Sequence, residues 1–146
     1  LDQNLSIHTY VGDKAAGKNI LPAAGTFERM ECMNWLSFVA ADLHKGIGAL
    51  FYTKMISQDQ VVQEAYRKYS MEKAAGLLQY VNTKLEGKDY LMGSAFTAPD
   101  AYAFVVLGWT KWLEIPTSSF KNVEAYMARV AARPAVVKVL KEEGLS

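Results

Sequence analysis

The sequence predicts an all-α domain, a helical bundle around one buried central helix, and three observations carry that expectation. Thr97 and Asp100 stand three apart as in a capping box, the Thr hydroxyl accepting from the Asp100 amide and the carboxylate accepting from the Thr97 amide. Pro99 suits that first turn, where amides have no intrahelical acceptor to lose. The nine residues from Ala101 to Trp109 are then apolar on every side. A helix without a polar face needs other helices or lipid around it, and nine residues fall well short of the roughly twenty that span a bilayer. Finally, two long segments, 26–51 and 57–87, repeat apolar residues at three- and four-residue spacing.

Taken in order, residues 1–13 place Leu5, Ile7, Tyr10 and Val11 in a weak helical pattern too short to stand alone in water. Residues 14–25, with Gly17, Pro22 and Gly25, hold no sustained period and read as a linker at a domain boundary. Thr26 can cap the next helix, whose stripe is Trp35, Val39, Leu43, Ile47 and Leu50. A second face, Ser37, Ala40, Ala41, His44 and Gly48, is nearly bare of bulk around one imidazole. Gly46 and Gly48 predict a bend or an early end there, at about 0.8 to 1 kcal/mol each relative to Ala.

Ser57 with Gln60 reads as a second capping box, opening a helix striped by Val62, Ala65, Tyr66, Tyr69, Ala74, Leu77, Leu78, Val81 and Leu85 until Gly87 stops it. Glu64, Arg67, Lys68, Glu72 and Lys84 make its solvated face. After the central helix, Ser118 and Ser119 can cap a helix carrying Val123, Tyr126, Met127 and Val130. Pro134 ends that helix and opens a last one, with Val136, Val137 and Leu140 inward and Gly144 as its cap.

Composition bounds the function. A chain of 146 residues is enough for one core and buries about 70% of its unfolded surface, so neither disulfide nor metal is required. A net charge of +1 gives no basic stripe for nucleic acid. Two histidines and one cysteine make no metal-ligand spacing, and no glycine-rich phosphate loop follows a strand. The single cysteine fits a reducing, cytoplasmic setting. Leu1 in place of Met, followed by Asp2, Gln3 and Asn4, leads us to expect a chain that begins inside a longer protein.

Tyr90-Leu91-Met92-Gly93 followed by Phe96-Thr97-Ala98-Pro99-Asp100-Ala101-Tyr102 resembles the loop and capping-box helix of the glutathione transferase C-terminal domain. The run from Trp35 to Gly46, with Leu50-Phe51 after it and Ala132-Arg133-Pro134 near the end, is similar to the bacterial beta class. The resemblance covers essentially the whole chain. It implies that residues 1–13 are the last helix of a thioredoxin-like glutathione-binding domain, 14–25 the interdomain linker and 26–146 the helical C-terminal domain.

It also implies a chemistry. Members conjugate the thiol of glutathione to hydrophobic electrophiles, a detoxification reaction with glutathione as co-substrate and no resident cofactor, and they work as homodimers. His44 matches a histidine that points at the glutathione sulfur, and imidazole is the side chain most readily protonated near neutral pH. Trp109 matches an aromatic wall of the electrophile site, which Lys45 and Gly48 border. Gln3 and Asn4 fall where the γ-glutamyl end of glutathione is held, Asn4 replacing the usual Ser or Gly. Ser37 stands where the class has an asparagine reaching across the dimer, and a hydroxyl is shorter than that amide. The alternative implied by the same fold is a non-catalytic helical interaction module. The 146 residues alone, without the domain that activates the thiol, are expected to be inactive or nearly so.

Three further residue types read as packing. Cys32 lies mid-helix with no helix N-terminus to lower its pKa, so it is expected to be a small core residue. His8 and the six methionines read as local filling.

Overall fold

The computed structural model of the chain describes residues 1–145. Helix α1 (Asn4–Lys14) is followed by one 3₁₀ turn, and α2 (Phe27–Phe38) by a π-helical turn, Val39–Leu43, that leads straight into α3 (His44–Gly48). A 3₁₀ turn, Ala49–Tyr52, ends that column. Then come α4 (Gln60–Lys84), α5 (Ala98–Trp112), α6 (Lys121–Ala131) and α7 (Pro134–Glu142). Among the described residues there is no strand, only an isolated bridge between Tyr90 and Gly93.

Helix α5 is the centre, packed against α2, the π turn, α3 and α6. Its start is held by Asp100, which is wholly buried and accepts from the amides of Leu91 (2.9 Å) and Thr97 (2.8 Å). The Thr97 hydroxyl donates to the same carboxylate at 2.8 Å. Burial pushes the Asp100 carboxyl above its ordinary range, and the Leu91 and Thr97 donors pull it back. Tyr126 of α6 donates its phenol to the Asp100 carbonyl at 3.2 Å, and burial holds that phenol far above its usual pKa. One carboxylate therefore fastens the Tyr90–Gly93 loop to the head of the central helix.

The expectation that α5 is covered on all sides fails on one stripe. Val105 is 55% and Trp112 61% exposed, and half-buried Trp109 lies between them at helical spacing. The uniform hydrophobicity of this helix thus includes an open apolar face as well as a core face.

Several local expectations shift for identifiable reasons. Leu36, not Trp35, enters the core; Trp35 lies half-buried, edge-on to Phe38 with ring centroids 5.7 Å apart. The π turn admits an extra residue, so the His44 amide reaches back five positions to the Val39 carbonyl. One extra residue rotates the helix before the turn by about 100° relative to the helix after it. Ser37 and His44 therefore do not share the face that a regular helix would give them, and Ser37 is exposed.

Helix α4 is capped by Asp59, whose carboxylate accepts from the Val61 amide at 2.8 Å, while Ser57 only receives the Asp59 amide. Helix α6 is capped by neither serine. The Asn82 side-chain oxygen, on α4, accepts from the amides of Asn122 (2.9 Å) and Val123 (3.3 Å). The first half of the α4 stripe is open, with Val62 45% and Tyr69 56% exposed; Ser70, Ala74, Leu78, Val81 and Leu85 form its buried half. Gly87 and Gly144 turn the chain at positive φ as expected.

Segment 14–25 is tied down at both ends. Leu21 is buried, the Ile20 carbonyl accepts from the Ala98 amide at 2.8 Å, and Gly12 leaves α1 room against the Leu21 side chain. Thr26 caps α2 by accepting from the Arg29 amide at 3.1 Å. Arg29 then forks onto both carboxylate oxygens of Asp13 at 2.9 and 3.1 Å and onto the Pro22 carbonyl at 2.9 Å.

Candidate functional site

Where α3 meets α5 the rings gather. The His44 and Trp109 rings stand nearly perpendicular, centroids 4.7 Å apart, and Phe51 stands edge-on to the same indole at 5.5 Å. Gly48, one turn after His44, borders the pair; a Cβ there would lie 3.5 Å from the indole and 3.8 Å from the imidazole, ordinary contact distances. The Nδ1 of His44 is 2.8 Å from the hydroxyl of Tyr102, and the phenol ring is stacked by His8 from α1 at 5.5 Å and 17°. His8 Nδ1 donates to the Asn4 carbonyl at 2.8 Å. A path of contacts thus runs from Asn4 through His8 and Tyr102 to His44 and Trp109.

The rings of His44 and Trp109, both named from the sequence, are thus in direct contact. Gly48 joins them, and Asn4 is connected to them by way of His8. Gln3 precedes α1 as its N-cap and is exposed. Lys45 turns elsewhere: with Asp42 it lines a groove of about 630 Å³ against Tyr69, Glu72 and Lys73 of α4. Ser37 makes no hydrogen bond among the described residues and does not reach the ring cluster. Thr97 and Asp100 are structural, one turn before Tyr102.

Three members of the cluster were not anticipated from the sequence: Tyr102, His8 and Phe51. A signal existed for Tyr102, since it precedes Trp109 by seven residues and so lies on the same side of α5. None existed for His8, whose partner is far along the chain. Cys32, by contrast, is wholly buried in the core as expected. Desolvation, opposed by Arg29 and aided by Asp100, pushes its thiol up to about 11, so it supplies no thiolate. Among the described residues no group of three metal-ligating side chains occurs, and no helix is long and apolar enough to cross a membrane.

Residues 40–134, which include His44, Thr97, Asp100 and Trp109, match the family described as "Glutathione S-transferase, C-terminal domain". The chain belongs to this family. Over 145 residues it is 30% identical to glutathione S-transferase GstA of Escherichia coli O157:H7, the match covering 99% of this chain and 69% of GstA. A glutathione transferase from Methylococcus capsulatus superimposes with a TM-score of 0.90 at 33% identity, over 100% of this chain and 69% of that one. A beta-class glutathione S-transferase from Sphingomonas chungbukensis superimposes with a TM-score of 0.86 at 32% identity, again over 100% and 69%. The all-α fold is that of the glutathione transferase C-terminal domain, with beta-class likeness.

Proposed function

We propose that this glutathione transferase chain builds the electrophile side of the active site, with His44 as the donor that meets the sulfur. The observation that carries the reading is the 4.7 Å pairing of His44 with Trp109, bordered by the exposed apolar stripe of Val105 and Trp112. Such a surface holds a hydrophobic electrophile by burial while the imidazole donates a hydrogen bond to the glutathione thiolate, or to a cysteine beside it. The sulfur attacks the electrophilic carbon as the leaving group departs with its electron pair.

In this reading residues 1–13 close a thioredoxin-like domain, 14–25 connect it, and 26–146 form the electrophile-binding domain. Gln3 and Asn4 hold the γ-glutamyl end and Gly48 lies at the substrate's edge, while Lys45, on the separate α4 groove, does not touch it. Ser37 approaches the partner subunit of a cytoplasmic homodimer. Glutathione serves as co-substrate, with no resident cofactor. The thiol-activating residue lies outside these 146 residues, so the polypeptide by itself turns over far below an intact transferase.

The test is His44→Ala in the intact transferase, assayed by conjugation of glutathione to a chlorinated dinitrobenzene. Losing a hydrogen bond to a charged group costs about 1.5 to 3 kcal/mol, so kcat falls about ten- to a hundredfold. An unchanged kcat removes His44 from the mechanism.

A further inference from the structure

We infer that Tyr102 is a positioning residue that fixes the tautomer of His44, so that its neutral ring already presents Nε2–H as a donor to the site. The inference deepens the proposed function and rests on it only for its catalytic meaning. Tyr102 is 8% exposed, its ring stacked by His8 and edge-on to His44. Among the described residues, its hydroxyl has one hydrogen-bond partner, His44 Nδ1 at 2.8 Å.

The direction of that bond follows from what each group can do. A phenol carries a proton that needs an acceptor, and an unprotonated imidazole nitrogen is one. If the proton sat on Nδ1, the phenol O–H would have no protein acceptor among the described residues, in a side chain only 8% exposed. If the phenol donates, both groups are satisfied, as are all buried side-chain polar atoms among the described residues. The remaining proton of the neutral ring is then on Nε2. His8 is held in the opposite form, because the Asn4 carbonyl that its Nδ1 meets can only accept.

The surroundings offer no competing charge. Tyr102 reaches His44 from α5, with His8 of α1 behind the phenol. Asp42 and Lys45 flank His44 in sequence but are exposed on the groove shared with Tyr66, Tyr69, Glu72 and Lys73 of α4. Among the described residues no carboxylate lies within ion-pair distance of His44. The consequence is an Nε2–H donor in the neutral ring as well as in the protonated one.

The chain holds only two histidines, so nitrogen-15 NMR of the whole 146-residue polypeptide, with labelled imidazoles, reads both directly under conditions where the rings are neutral. A His8→Asn variant assigns the signals. The expected result is one tautomer each, Nε2–H for His44 and Nδ1–H for His8. In Tyr102→Phe, which keeps the stacked ring, His44 Nδ1 loses its hydrogen-bonded shift and the ring becomes a mixture of tautomers. A wild-type His44 protonated on Nδ1 overturns the inference without help from any variant, as do His44 signals unmoved by Tyr102→Phe. Either result leaves the conjugation role untouched, whereas a silent His44→Ala in the rate assay removes that role and leaves the tautomer standing.

Discussion

Asp100 shows how much one side chain can organise. Its carboxylate takes two buried amides and a hydroxyl, so Asp100→Ala strands the amides of Leu91 and Thr97 in the core at about 1 to 3 kcal/mol each. We expect urea unfolding to show a loss of about 3 kcal/mol or more, a large share of the stability of a domain this size. A loss below about 1 kcal/mol, the scale of an exposed helix cap, would contradict this account. The Thr97–Asp100 pair was legible because both partners sit within one turn of chain. The Leu91 amide was not, since it arrives from a loop whose path depends on the fold. The same distinction governs the site: His44 and Trp109 stood out through the motifs around them, while the Tyr102 hydroxyl was hidden because its partner is 58 residues away.

At the level of elements, the sequence marked where most helices lie and was weaker on how they begin and join. Asn82 caps α6 from another helix, a donor–acceptor match that no spacing rule within α6 contains. The π turn ahead of His44 is likewise silent in periodicity, since Leu36, Val39, Leu43 and Ile47 fit an ordinary helix equally well. The tie between α1 and α2 yields a pH prediction. Hydrogen bonding to Arg29 holds the Asp13 carboxyl below its ordinary value, partly offset by desolvation, so the folded state favours the ionised form. A depressed carboxylate pKa contributes stability that is complete above the unfolded value of about 3.9 and fades as pH falls through the folded one. Comparing urea midpoints of the wild type and Asp13→Asn should therefore show a gap at pH 6 that closes below pH ~4; a gap that widens on acidification would refute the assignment.

At the scale of the whole molecule, the open half of α4 is the feature a lone bundle does not explain. Val62 and Tyr69 continue the apolar stripe of that helix into solvent beside the groove that holds Ala41, Gly46 and Leu77. Covering this face with a second copy of the chain agrees with the homodimer proposed above. Sedimentation should report a dimer of the wild-type chain and a shift toward monomer for Tyr69→Glu, because a carboxylate buried in such an interface goes unpaired. A wild-type chain that stays monomeric at high micromolar concentration would count against it.

Fastening also decides how parts of such a protein move. Helix α1 is gripped three ways by the rest of the molecule: the guanidinium fork on Asp13, the Thr9 hydroxyl 3.7 Å from the Met33 sulfur, and the stack of His8 on Tyr102. The short stretch between α1 and α2 is consequently a strap between two elements that already grip one another directly. Anything attached ahead of residue 4 is aimed by the bundle through these contacts, helped by the strap's own Leu21, which is buried against Gly12 of α1.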